Sequence, residues 1–172
     1  MNLGEGRTKF MDRVSKENYY LDIAETVSER STCLRKRYGS IIVKNDVIIS
    51  TGYNGAPRDR QNCTDLKSCI RDEWKIPRGE RYELCRAVHA EANAIIAASR
   101  EQMLGATLYM VCTNPNDGSL MPGTTSCMMC KRLVLNAGIT KVVVRDTKTE
   151  YRVIDTAEWV KEDDSLSGVF GY

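Results

Sequence analysis

Apolar positions along the chain fall into alternating blocks of helical and strand period. Tyr20, Ile23, Ala24 and Val27 recur at three- and four-residue spacing, which predicts a helix over residues 17–30 that Ser31-Thr32-Cys33 ends. Two apolar runs follow, Ile41-Ile42-Val43 and Val47-Ile48-Ile49, with Lys44-Asn45-Asp46 between them. This is a β-hairpin pattern over 39–53. It leads into Gly52-Tyr53-Asn54-Gly55-Ala56-Pro57, either a loop whose backbone approaches a ligand closely or an ordinary strand-ending turn. Residues 58–86 are polar, with a break at Ile76-Pro77-Arg78-Gly79. Val88, Ala92, Ile95 and Ile96 predict a helix over 88–101, with Gly105 beyond its end. Ala106–Cys112 reads as a buried strand and Asn114–Thr125 as a loop. Residues 126–138 predict a helix with Leu133, Val134 and Ala137 on its core face and Gly138 as its stop. A strand over Ile139–Arg145, a short strand over Tyr151–Ile154 and a short helix over Thr156–Glu162 complete the pattern.

A length of 172 residues fits one domain with a sizeable core. That domain is expected over 16–163, with a flexible leader at 1–15, a cysteine-rich insertion at 58–86 and a C-terminal arm at 164–172. The net charge of +2 gives no electrostatic argument for a nucleic-acid or membrane partner. No stretch is apolar for long enough to span a bilayer, and the N-terminus lacks the apolar core of a signal peptide. The expected compartment is the cytoplasm. There, seven cysteines point to metal ligation or catalysis rather than to disulfides. Three of them, Cys63, Cys69 and Cys85, lie in the long polar segment 58–86, where a bound metal would supply the order that periodicity does not.

The candidate chemistry begins at Arg86-Ala-Val-His-Ala-Glu-Ala-Asn-Ala-Ile95. His89 is the chain's one histidine, and Glu91 follows two residues later at the start of a helix. On a regular helix the two would point roughly 200° apart. They meet at one site only if His89 stands at the helix end and the site lies beyond it. Alone, the pair also fits an unremarkable helix start with a dipole-compensating Glu. Cys127 and Cys130 add a second element, two thiols three residues apart at another helix start. A lone Cys-x-x-Cys is also the pattern of a redox pair or of two small buried residues. Together with His89 it makes three ligands with an open fourth position, the arrangement of a catalytic zinc.

His89-Ala-Glu91 with Cys127-x-x-Cys130 resembles the zinc-dependent cytidine and deoxycytidylate deaminase superfamily. Ser31-Thr32-Cys33, Gly39–Val43, Gly52-Tyr-Asn-Gly55, Gly105–Tyr109 and Asn136–Val144 extend the likeness over roughly 19–145, most closely to its dCMP deaminase branch. The resemblance implies an α/β fold, a three-layer α/β/α sandwich around a mixed five-stranded sheet. It implies a catalytic Zn²⁺ held by His89, Cys127 and Cys130, with Glu91 carrying protons while hydroxide replaces the amino group at C4 of cytosine. Asn54 would hold the sugar or phosphate, backbone near Ala90 the base, and Arg35 (with Arg30 and Arg58 as further candidates) the phosphate. Gly52, Tyr53, Asn54 and Gly55 are candidates for a dCTP or dTTP effector site. A homo-oligomer, hexameric by analogy, is expected, with a small-molecule nucleotide as substrate and dUMP for thymidylate synthesis as product.

Some members of that branch carry a second zinc. With no second histidine, Cys33, Cys63, Cys69 and Cys85 form the candidate ligand set for a structural ion. Cys112, in a predicted buried strand, is expected to be a core residue. Two features depart from the family pattern. Ser126 replaces the usual proline and is expected to cap the helix, and Asn114–Thr125 is long. Two other readings remain open at this level. One is deamination of another nucleoside, base or tRNA adenosine; the other is a catalytically silent, zinc-stabilised binding module of the same fold.

Overall fold

The computed structural model describes residues 12–162, so the expected arm at 164–172 and most of the expected leader lie outside the described residues. The elements in order are α1 (Lys16–Ser28), β1 (Arg37–Lys44), β2 (Val47–Tyr53), α2 (Cys63–Leu66), α3 (Ile70–Glu73), α4 (Ala90–Ile96), α5 (Arg100–Met103), β3 (Thr107–Thr113), α6 (Met128–Ala137), β4 (Lys141–Arg145), β5 (Tyr151–Asp155) and α7 (Thr156–Lys161). The five strands form one mixed sheet in the order β2-β1-β3-β4-β5. Only the β3–β4 pair is parallel, and α6 makes the crossover between them. The expected α/β sandwich is therefore present.

The hairpin turn follows from its sequence. Lys44 pairs with Val47, and Asn45 and Asp46 between them take φ of 51° and 63°. Asn and Asp tolerate that left-handed region, as a two-residue hairpin turn requires. The strands are apolar on both faces because both are covered. Ile41, Val43, Tyr109, Val111 and Val143 pack with Tyr20, Leu21 and Ala24 of α1. Ile42, Leu108, Met110, Val142 and Val144 face the other way, onto Ala94, Met103, Val134 and Ala137. Each fully buried side chain of this size contributes about 1.5–3 kcal/mol relative to exposure. Cys112 is buried in β3, as expected.

Three local expectations need correction. The helix predicted over 88–101 is two pieces, because Ser99 caps α5 in a reciprocal box with Gln102 and ends the run that began at Ala90. Ile96, at the end of the first piece, is 77% exposed rather than on a core face. Leu133 is exposed as well, since only Val134, Ala137 and Cys130 of α6 turn inward. The polar segment 58–86 carries α2, α3 and a single 3₁₀ turn at Tyr82–Leu84.

Candidate active site

Two short-range facts set the site. His89 is the N-cap of α4 and Cys127 the N-cap of α6, both with extended backbone. A side chain at an N-cap leaves the helix end rather than its flank, so His89 and Glu91 reach one cavity although two residues apart. Gly52 of β2 fixes the height of α4 on the sheet. A Cβ there would lie 2.3 Å from the Ala90 carbonyl oxygen, so the helix rests on bare backbone. Gly55 holds the preceding segment through a two-way backbone pairing with Val88.

Nδ1 of His89 lies 3.4 Å from the Cys127 sulfur and 3.4 Å from the Cys130 sulfur. A tetrahedral zinc, about 2.3 Å from sulfur and about 2.05 Å from nitrogen, sets such separations at about 3.5 Å, so the three donors fit that ion. Among the described residues they are the one His/Cys/Asp/Glu group of three or more at ligand spacing. The Cys130 hydrogen bond, then His89 working against burial, takes the Cys127 thiol down to about 4. Cys130 moves up through the same bond and through burial. Burial opposes charge on His89, but hydrogen bonds to Cys127 and Cys85 take it up to about 10. Cys127 is thus the sulfur favoured as thiolate, the form that binds a metal.

Glu91 is buried, and burial pushes its carboxyl above the ordinary range, with His89 pulling the other way. The Ser126 hydroxyl lies beside it, itself buried and with no other hydrogen-bond partner. Ser126 is thus not the helix cap that the sequence led us to expect; Cys127 occupies that position. The amide of Ala90, first residue of α4, has no intrahelical partner and faces the same cavity.

Asn54 lines the cavity but is also a structural latch. Its Oδ1 accepts from Ser31 Oγ at 2.6 Å and the Tyr38 amide at 2.8 Å, and its Nδ2 donates to the Lys36 carbonyl at 2.9 Å. One amide hydrogen is left over. Gly52 is buried against the backbone of α4, and Gly55 against the Thr32 side chain and the Val88 backbone, which leaves Tyr53 as the exposed member of its loop. Arg35 lines the cavity and pairs with Asp72 at 3.0 Å, whereas Arg30 and Arg58 are exposed outside it. Cys33, Cys63, Cys69 and Cys85 all line the cavity too. Burial raises the Cys63 thiol, and the other three sulfurs add to the rise.

Sequence reasoning missed Tyr82 and Arg71. Tyr82 meets the His89 ring edge-on at 5.2 Å, and the Arg71 guanidinium lies 4.8 Å from the Tyr82 ring centre. Nothing in an aperiodic segment marks such contacts. The long loop before Cys127 is clamped. Gly123 donates to Asp146 at 2.8 Å, and Arg152 holds both Asp146 and the Thr124 carbonyl.

The chain is similar to known proteins in sequence and fold. The family described as the cytidine and deoxycytidylate deaminase zinc-binding region matches residues 14–146. The deoxycytidylate deaminase of Mycobacterium phage D29 is 36% identical over 137 residues, covering 77% of this chain and 96% of that protein. The deoxycytidylate deaminase of Schizosaccharomyces pombe is 31% identical across 76% of this chain, a stretch that spans only 37% of the yeast protein. A crystal structure of dCMP deaminase from the cyanophage S-TIM5 in complex with dCMP and dUMP superposes with a TM-score of 0.53 at 27% identity, covering 77% of this chain and 84% of that one. With the three donors and Glu91 in place and the family match covering most of its length, the chain belongs to the cytidine and deoxycytidylate deaminase zinc-binding family.

Proposed function

We propose that this chain hydrolyses dCMP to dUMP and ammonia. The observation that carries the reading is one cavity in which two thiols stand at 3.4 Å from the chain's single imidazole, beside a buried carboxyl. The names of the relatives and the nucleotides in the cyanophage structure support dCMP as the substrate. His89, Cys127 and Cys130 would hold a zinc ion, which would supply Lewis acidity at this site. Glu91 would take a proton from a water and deliver it to N3 as the hydroxide adds to C4; it would then take the proton of the new C4 hydroxyl and give it to the amino group, which leaves as ammonia while the C4 carbonyl forms. A carboxyl raised by burial suits both transfers, because it gains and loses a proton closer to neutral pH. The Ala90 amide and the remaining hydrogen of Asn54 orient the base and sugar, and Arg35 adds positive charge.

The product feeds thymidylate synthesis in this reading, and the seven unpaired cysteines suit a reducing cytoplasm. No helix among the described residues is long and apolar enough to cross a membrane. A dCTP or dTTP effector at residues 52–55 would meet Tyr53, its exposed side chain. Exposed Ile96 stands one turn beyond Asn93, which bonds the Tyr53 carbonyl, and this face of α4 is the candidate contact of a homo-oligomer, a hexamer by analogy. A second zinc on Cys33, Cys63, Cys69 and Cys85 is supported by their shared cavity. Their sulfurs would have to close in on the ion, so two zinc ions per chain support it and one refutes it.

Ammonia release from dCMP, compared with cytidine, deoxycytidine and dCTP, tests the substrate. Preference for dCMP is the expected result. No turnover of any of them by zinc-loaded protein would favour a silent binding module instead.

A further inference from the structure

We propose that Arg78 and Lys36 read the 5′-phosphate of the nucleotide, so that this cavity selects a nucleoside monophosphate over the free nucleoside. The inference rests on the deaminase reading and assigns residues to it. The cavity that holds His89 and Glu91 is strongly cationic. Arg35, Lys36, Arg71, Arg78 and Arg86 line it, against Glu91 as its one carboxylate. The whole chain carries only +2, so the charge is concentrated here.

Three of the five cations already have partners. Arg71 is buried and gives its guanidinium to the carbonyls of Pro77, Glu80 and Arg81 at 2.9, 2.7 and 3.0 Å. Arg35 pairs with Asp72 at 3.0 Å, and Nε of Arg86 bonds the Gln61 carbonyl at 2.8 Å. The side chains of Arg78 and Lys36 make no hydrogen bond or ion pair among the described residues. They are the cations left for a ligand.

The surrounding structure fixes the backbone at both positions. Arg78 sits at the tip of a turn whose carbonyls on either side are tied to Arg71. Gly79, next to it, takes φ of +90°, a conformation that favours glycine. Arg78 and Tyr82 line the cavity together, and the Tyr82 ring meets that of His89 edge-on at 5.2 Å. Lys36 lies in the segment leading to β1, and the Asn54 side chain grips its carbonyl. Arg71 is thus a positioning residue for Arg78. A planar guanidinium and an ammonium together match the three oxygens of a phosphate monoester.

The test compares Arg78→Ala and Lys36→Ala with wild type. Arg60→Ala serves as a charge-matched control, an exposed arginine of the same segment that does not line the cavity. Calorimetry with dUMP and with deoxyuridine reads the phosphate contact directly. Each cavity variant is expected to weaken dUMP binding at least about tenfold and leave deoxyuridine unchanged, a loss typical of one charge-assisted hydrogen bond. The same variants should raise KM for dCMP by a similar factor, leave KM for deoxycytidine alone and flatten its dependence on salt. Unaltered melting temperature and zinc content confirm folding. Arg71→Lys, which keeps charge but loses the fork, should reproduce the KM effect of Arg78→Ala. The proposal is overturned if both cavity variants bind dUMP as wild type does, or if wild type binds dUMP and deoxyuridine alike. Absence of turnover on every cytosine compound would count against the deaminase reading alone, since the dUMP measurement still decides the phosphate contact.

Discussion

Gly52→Ala tests how the sheet sets the height of the catalytic helix. A methyl group at this position would lie 2.3 Å from the Ala90 carbonyl oxygen and 2.4 Å from the Ala94 amide nitrogen. Ordinary contact begins at 3.4 Å, so α4 must retreat from β2 by about 1.1 Å. Neither neighbour is the movable end of a side chain; both are backbone. Ala90 stands between His89 and Glu91, so the retreat carries both away from Cys127 and Cys130. Misplacing a reacting group by roughly 1 Å costs on the order of 10²-fold in rate. Overpacking a buried contact costs about 1–3 kcal/mol. For a domain of this size that lowers the melting temperature by roughly 2–12 °C. Thermal unfolding, zinc content and ammonia release from dCMP, each read beside Thr51→Ala on the exposed face of the same strand, give the comparison. A Gly52→Ala protein that melts with wild type and turns over dCMP at a wild-type rate would refute the reasoning.

Four further outcomes follow from the same geometry. Cys130→Ala removes one of three donors, and the purified protein should lose its catalytic zinc and its turnover together, read by elemental analysis beside the rate. The acid limb of kcat/KM should lie above the ordinary glutamate value of about 4.3, because burial raises Glu91 and its base form is required. By linkage, a carboxyl raised on folding favours the folded state at low pH and loses that contribution as pH rises through its folded pKa. Glu91→Gln should therefore unfold at a higher temperature than wild type at pH 7 in metal-free protein, while failing to turn over. Asp146 has the opposite sign, since Arg152 lowers its carboxyl. Its contribution is present above the unfolded value of about 3.9 and disappears as pH falls through the lower folded value. Arg152→Ala should accordingly lower the melting temperature at pH 7, and the difference from wild type should narrow as pH falls from about 4 through the lower folded value, where the pair breaks.

Much of this molecule is legible in its sequence because local signals agree with the fold. Asn45-Asp46 matches the turn type that joins β1 to β2, and Gly138 takes the left-handed conformation that ends α6. His89 and Cys127 are readable because ligand type and helix-start position coincide. The failures have a different physical origin. The break after Ile96 depends on a capping box at Ser99 that competes with an otherwise continuous helical period. The parallel β3–β4 pairing is a long-range choice that periodicity does not encode. Gly52 and Asn54 look like ligand-loop residues by type, yet both also act through backbone: one by leaving room for α4, the other by latching residues 31–38. Arg71 belongs to a polar segment where a cation is ordinarily solvated. Only the chain path reveals that three carbonyls converge on it.

The central claim is that Glu91 moves protons beside a zinc held by His89, Cys127 and Cys130. The most direct measurement is dCMP turnover and zinc content in one preparation each of wild type and Glu91→Ala. The account predicts that both proteins carry the catalytic zinc and that only wild type converts dCMP to dUMP and ammonia. Substantial dUMP formation by zinc-loaded Glu91→Ala would contradict it.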